Sequence, residues 1–199
     1  MDIQLFAIKL DRPLTEEEER ALAELMPPER RERLRRTKSA ANRNEHICAY
    51  AALRFGLYQV FGWRELPELA YSRYGKPYFA ARDDVHFNIS HTRGAVLVGI
   101  HDSPVGVDIE KIRPVSERMM QRIARVTTEK EFYESWVRRE SRGKWAGNGL
   151  AAINAADSPT MLGEKFHFVE TFDGYAACVC THSTDELAPL QKFRLEDMR

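Results

Sequence analysis

Cysteine is scarce in this 199-residue chain: Cys48, Cys178 and Cys180 are the only three, and no Cys-x-x-Cys spacing occurs. So few thiols argue against a disulfide framework and against a structural zinc site. Neither sign of charge is in excess, because 30 Lys plus Arg balance 30 Asp plus Glu. That balance argues against a strongly basic nucleic-acid binder and against an acidic, disordered chain. No apolar run approaches the roughly 18 residues of a membrane span, and Met1-Asp2-Ile3-Gln4 lacks the basic-then-apolar layout of a signal peptide. Low-complexity linkers and obvious repeats are missing too. What is present is core material: hydrophobic residues are 43% of the chain and include ten Phe, seven Tyr and three Trp, enough to bury a real core. The expectation is a soluble α/β protein of a reducing, cytoplasmic compartment, with neither nucleic acid nor membrane as partner.

The order of residues says more. Asp2 to Lys9 alternates apolar and polar positions through Ile3, Leu5 and Ala7, a strand pattern ended by Asp11-Arg12-Pro13. Thr15 with Glu18 forms a capping box, and Ala21, Leu22, Leu25 and Met26 carry a short helix to Pro27-Pro28. An arginine-dense helix begins near Glu29. Apolar positions at Ile47, Tyr50, Ala51, Leu57, Tyr58 and Phe61 predict a long amphipathic helix from about Ala41 to Phe61, closed by Gly62. Strands are expected over residues 85–90, 95–101 and 105–110, joined as a three-strand meander. Helices return at 117–126 and 129–145, and Asp173-Gly174 predicts a hairpin between strands at 165–172 and 175–181. Strands and helices thus run through the chain twice, dividing it into two α/β halves, residues 1–101 and 102–199.

Chemistry concentrates in Val105-Gly106-Val107-Asp108-Ile109-Glu110. On a strand Asp108 and Glu110 share one face while Val107 and Ile109 share the other. Adjacent carboxylates repel and are costly to bury unpaired, and a hard divalent cation relieves both problems. The same pair also reads as an exposed strand end whose acids face water or meet Lys111. A third acid, Glu140, continues the helical stripe of Phe132 and Trp136, with Lys144 one turn further. Glu140 can point into a cleft, form an i,i+4 pair with Lys144, or do both. Gly143, inside that helix, has no evident reason in the sequence.

Four segments carry a resemblance: Tyr74-Gly75-Lys76-Pro77, Phe87-Asn88-Ile89-Ser90-His91, Val105 to Glu110, and Trp136-Val137-Arg138-Arg139-Glu140-Ser141-x-x-Lys144. In this order they resemble the 4′-phosphopantetheinyl transferases of the surfactin-synthetase-activating type, over nearly the whole chain. The resemblance implies a single, monomeric chain of two similar α/β halves related by a pseudo-two-fold axis, with the active site between them. It implies transfer of phosphopantetheine from coenzyme A to a serine of an acyl or peptidyl carrier protein, releasing 3′,5′-ADP. Asp108, Glu110 and Glu140 match the ligands of Mg²⁺, for which Mn²⁺ is a possible substitute. Ser90 and His91 match contacts to coenzyme A phosphates, Lys76 and Pro77 the adenine side, and Lys144 the pyrophosphate. Glu140 and Lys144 are the candidate catalytic pair, Glu140 as base and Lys144 as counter-charge.

The run Arg30, Arg31, Arg33, Arg35, Arg36, Lys38, Arg43 admits three readings: nucleic-acid contact, a solvated helix face, or a clamp for the 3′-phosphate of coenzyme A. The resemblance favours the third, through Arg30 and Arg33, with Arg43 a candidate for the remaining contact. Two positions depart from the family pattern: Arg139 stands in place of a lysine, and Glu45 in place of an arginine on the long helix. The alternative to an enzyme is therefore a non-catalytic coenzyme A-binding regulator or scaffold. The carrier surface is expected after Lys144, from Trp145 through Leu150 to Ala156, although Trp145 and Leu150 read equally as core. Met119, Met120 and Met161 read as core filling, and Cys178 and Cys180 as inert packing.

Overall fold

The computed structural model describes residues 1–147, 163–182 and 184–198. Strand β1 (Gln4–Lys9) leads to α1 (Glu16–Glu24), where Thr15 Oγ1 accepts from Glu18 N and the Glu18 carboxylate accepts from Thr15 N, the capping box expected. Helix α2 (Pro28–Arg35) starts on a proline, which has no N–H to leave unsatisfied in a first turn. Helix α3 (Ala40–Phe61) is capped by Ser39 and ended by Gly62 at φ 71°. A hairpin of β2 (Leu69–Tyr71) and β3 (Pro77–Phe79) follows, then β4 (His86–Thr92), β5 (Ala95–His101) and β6 (Gly106–Lys111). Helices α4 (Glu117–Ile123) and α5 (Glu129–Ala146) precede β7 (Glu164–Phe168), β8 (Tyr175–His182) and the short β9 (Gln191–Phe193). Asp173-Gly174 turns β7 toward β8 as expected, with Gly174 at φ 79°, although β7 stops at Phe168 rather than continuing to 172.

The expected three-strand meander does not form. Strand β5 already has β4 on one edge and β1 on the other, in a sheet ordered β4-β5-β1-β9. No edge is left for β6, so it opens a second sheet, β6-β8-β7, in which Asp108 pairs with Cys178 and Glu110 with Ala176. The two sheets pack face to face through Leu5, Leu97, Val105, Val107, Ile109 and Val179. Helix α3 covers the outer face of the first sheet through Ile47, Leu53 and Leu57 against Phe6, Val98 and Ile100. Helix α5 covers the second through Phe132, Tyr133 and Val137, against Ala176 and Cys178. Four layers result, α-β-β-α, consistent with an α/β fold. Cys178 and Cys180 are buried and reduced, and burial pushes the Cys178 thiol up to about 12, so they pack rather than react.

Two glycines set the spacing of these layers. A methyl group on Gly99 would stand 2.8 Å from Val107 Cγ1, where the sheets meet. On Gly106 it would collide with Ser141 O and with the Trp145 backbone, its Cα at 2.8 Å. Backbone cannot rotate out of the way as a side chain can. Gly106 is therefore what lets α5 lie directly on β6, and α5 carries Glu140 and Lys144. Gly106→Ala is expected to lower unfolding free energy by about 1–3 kcal/mol, read from the midpoint of denaturant unfolding.

Candidate functional site

Strands β4 and β6 belong to different sheets yet run side by side, and β4 side chains replace the missing ladder between them. Asn88 Oδ1 accepts the Val107 N–H at 2.9 Å, and Ser90 Oγ accepts the Ile109 N–H at 3.3 Å. The strand period of two places Asn88, Ser90 and Thr92 on one face, so the series continues to carboxylates. Ser90 Oγ donates to Asp108 Oδ1 at 2.8 Å and Thr92 Oγ1 to Glu110 Oε2 at 2.8 Å. Lys144, arriving from α5, donates from Nζ to Asp108 Oδ1 at 2.6 Å and to Ser90 Oγ at 2.8 Å. The Ser90 hydroxyl is thereby saturated, one bond donated and two accepted.

Asp108 is only 3% exposed, and its Oδ2 is buried with no hydrogen-bond partner among the described residues. Lys144 takes Asp108 as its ion-pair partner rather than Glu140, the partner its helical spacing offers. Burial raises the Glu110 carboxyl above its ordinary range, with the Asp108 charge adding to the effect and Thr92 and Lys144 opposing it. Burial likewise raises Glu140, with Asp108 and Glu110 both contributing and Lys144 opposing. The three acids of the sequence reading thus feel one another. As the side chains stand, no three His, Cys, Asp or Glu among the described residues form a chelating cluster. The donor set nonetheless fits a hard cation: all-oxygen, mutually repelling, and with one buried carboxylate oxygen unsatisfied.

A cleft of about 320 Å³ opens beside these acids, lined by Tyr74, Lys76, Pro77, Ile89, Glu140 and Lys144. Gly143 and Gly147 complete its α5 wall. Lys76, in the turn of the β2–β3 hairpin, reaches α5 and the approach to β6, its Nζ donating to Lys144 O at 2.5 Å and Val105 O at 3.4 Å, and burial pushes its ammonium down to about 8. A larger cleft of about 530 Å³, lined by Pro27, Pro28, Arg54, Leu66 and Leu69 among others, contains none of the three acids.

The basic helix divides into two groups. Arg30 and Arg33 line a pocket of about 110 Å³ with Thr37, His46 and Tyr50. Arg30 is fixed there, its Nε 2.8 Å from Tyr71 Oη and its guanidinium 4.4 Å from the Tyr71 ring centre. His91, next along the strand from Ser90, packs its ring edge-on to His46 at 4.5 Å, with Nδ1 3.6 Å from Glu45 Oε2. Glu45, the position that departs from the family pattern, thus stands beside His91. Arg43 is not brought to this pocket: it pairs with Glu19 at 3.1 Å and donates to Thr37 O and Lys38 O. Arg139 donates to Ile123 O at 2.8 Å, at the end of α4. Trp145 is half-buried, Met120 is core, and Met119 is exposed. Residues 148–156 and Met161 lie outside the described residues.

Sequence reasoning missed Asn88 and Thr92 as scaffold, Gly106 as spacer and His46 as neighbour of His91. The alternation of polar Asn88, Ser90 and Thr92 with apolar Phe87 and Ile89 was the available signal, because such residues in a doubly covered sheet need partners.

No family model matches the chain. Curated relatives do. A 4′-phosphopantetheinyl transferase of Bacillus subtilis is 27% identical over 198 residues, covering 92% of this chain and 88% of the relative. The 4′-phosphopantetheinyl transferase Sfp of Bacillus subtilis strain 168 is 28% identical with the same coverage, 92% and 88%. The 4′-phosphopantetheinyl transferase AcpT of Salmonella typhimurium is 29% identical over 147 residues, 62% of this chain and 72% of the relative.

A carboxyl raised by folding costs stability at any pH where the unfolded chain ionises it more readily. The folded state then binds more protons, so stability falls as pH rises above the ordinary value of 4.5. Glu140→Gln is therefore expected to raise the thermal unfolding midpoint at neutral pH, with the gain shrinking toward zero on acidification to about that value. An unchanged or lowered midpoint at neutral pH would mean that Glu140 is not under tension.

Proposed function

We propose that the chain is a 4′-phosphopantetheinyl transferase of the Sfp type, a reading supported by its 27% and 28% identity to two curated transferases over 92% of its length, and that it transfers phosphopantetheine from coenzyme A to a carrier-protein serine, with Mg²⁺, releasing 3′,5′-ADP. The observation that carries the metal-assisted reading is Asp108: buried, bonded on one oxygen by Ser90 and Lys144, orphaned on the other, and flanked by two acids of raised pKa.

In this reading Asp108, Glu110 and Glu140 hold the cation, Mg²⁺ or Mn²⁺. When bound, it supplies charge neutralisation at the pyrophosphate. Arg30 and Arg33 take the 3′-phosphate of coenzyme A, a role for which the arginine fork is suited. Lys76 and Pro77 border the adenine side, while Ser90 and His91 lie along the phosphates. Glu140 accepts the proton of the acceptor serine. The serine oxygen then bonds to the phosphorus that bears the pantetheine, and the bond from that phosphorus to the bridging oxygen breaks. Lys144 stands ready to neutralise the charge left on the departing 3′,5′-ADP. Arg43, committed to Glu19, is left out of the substrate contacts.

Residues before 101 (Tyr74, Lys76, Pro77, Ile89) and after 102 (Glu140, Lys144) line one cleft, and β9 of the C-terminal segment returns to the first sheet, so one chain suffices and a monomer is expected. The carrier protein meets the rim after Lys144, where Trp145 stands. No described helix is long and apolar enough to cross a membrane, in keeping with a cytoplasmic enzyme acting on free carrier domains.

The test is intact-mass detection of phosphopantetheine on an apo-carrier domain incubated with the protein, coenzyme A and Mg²⁺. Labelling is expected, and Asp108→Ala and Glu140→Gln are each expected to reduce its rate at least about a hundredfold. Coenzyme A binding without labelling of any carrier would instead make the chain a coenzyme A-binding regulator. Full turnover by Glu140→Gln at saturating Mg²⁺ would remove Glu140 as both base and essential ligand.

A further inference from the structure

The pocket between α2 and α3 has a volume of about 110 Å³, lined by the guanidinium groups of Arg30 and Arg33 from one helix and the imidazole of His46 from the other. The space is small beside the 320 Å³ cleft and suits a phosphate group rather than a nucleoside. Its geometry is set in advance: Tyr71 fixes the Arg30 guanidinium by stacking and by hydrogen bonding, and donates in turn to Glu29 at 2.8 Å. His46 makes no hydrogen bond or ion pair among the described residues, so its ring nitrogens are unspent. Its ring rests against His91, one residue from the Ser90 that holds Asp108, which joins this pocket to the acid cluster.

We propose that His46 is a specificity-determining residue: its imidazole joins Arg30 and Arg33 in gripping a phosphate monoester and takes up a proton as that group binds. This rests on the reading above, which places the 3′-phosphate of coenzyme A in the same pocket. The groups facing His46 are His91 from β4, Glu45 from its own helix, and Arg30 and Arg33 from α2. Without an anion, burial and the charges of His91, Arg33 and Arg30 hold the imidazole below its ordinary 6.5, with only Glu45 opposing. A phosphate dianion reverses that field by offsetting both arginines and offering acceptors to the ring N–H groups. Binding is then linked to protonation, and affinity for the 3′-phosphorylated ligand falls as pH rises past neutrality.

Titration calorimetry with the whole chain, comparing coenzyme A with 3′-dephospho-coenzyme A, tests this directly. The wild type is expected to prefer coenzyme A, with proton uptake visible as a dependence of the binding heat on the ionisation heat of the buffer. His46→Gln is expected to weaken coenzyme A about tenfold, the scale of one charge-assisted hydrogen bond. It should leave 3′-dephospho-coenzyme A unchanged and abolish the proton uptake. His46→Lys should restore the preference without the uptake. If His46→Gln keeps both preference and uptake, or weakens the two ligands equally, the inference is overturned while coenzyme A binding stands. If the wild type binds neither ligand, the assignment of the pocket to coenzyme A falls with it.

Discussion

A carboxylate cannot be buried at the joint of two sheets unless something answers its charge, and in this protein Ser90 and Lys144 answer Asp108. Ser90 comes from the first sheet, Asp108 from the second, and Lys144 from the helix that covers the second. Their mutual bonds at 2.6–2.8 Å tie three layers at one point. The remaining geometry follows from keeping them together. Gly99 lets the sheets approach, Gly106 lets α5 lie on β6, and Lys76 bonds the Lys144 carbonyl so that the last turn of the helix stays over the strand. Asn88 and Thr92 extend the seam on either side, so that Glu110 is presented alongside Asp108.

The tie is deliberately incomplete as electrostatics. One lysine reaches one oxygen of Asp108, while Glu110 and Glu140 sit nearby with their carboxyls raised by burial and by one another. Replacing acids by apolar residues would stabilise such a seam, as is common where a polar site has been retained for function. The zero net charge of the chain conceals this arrangement: a positive pocket between α2 and α3 and a negative cluster between β6 and α5 cancel in the sum but not in space. A ligand with phosphates at two places along its length matches that separation better than any uniformly charged partner.

Local features were legible in the sequence because their causes are local. The Thr15–Glu18 box, the Gly62 cap and the Asp173-Gly174 turn each depend on residues a few positions apart. The shared face of Asp108 and Glu110 follows from strand periodicity alone. Which sheet β6 joins does not, because it depends on β1 having already occupied the free edge of β5, a pairing of residues about 90 positions apart. For the same reason the bracing of Asp108 by Ser90 could not be read from the sequence. Arg43 looked equivalent to Arg30 and Arg33 in a run of like charges. The turn between α2 and α3 sends it to Glu19 instead. His46 was invisible, since only packing against His91 gives it meaning.

The central claim is that the seam of Ser90, Asp108 and Lys144 is where the pyrophosphate of coenzyme A is held, between the Lys76–Pro77 wall and the face of α5. A crystal structure of the protein with coenzyme A and Mg²⁺ tests it most directly. The account expects the pyrophosphate within contact of Lys144, with the cation on Asp108, Glu110 and Glu140. Coenzyme A seated instead in the larger cleft at Pro27, Pro28, Leu66 and Leu69, with Lys144 still bonded to Asp108, would contradict it.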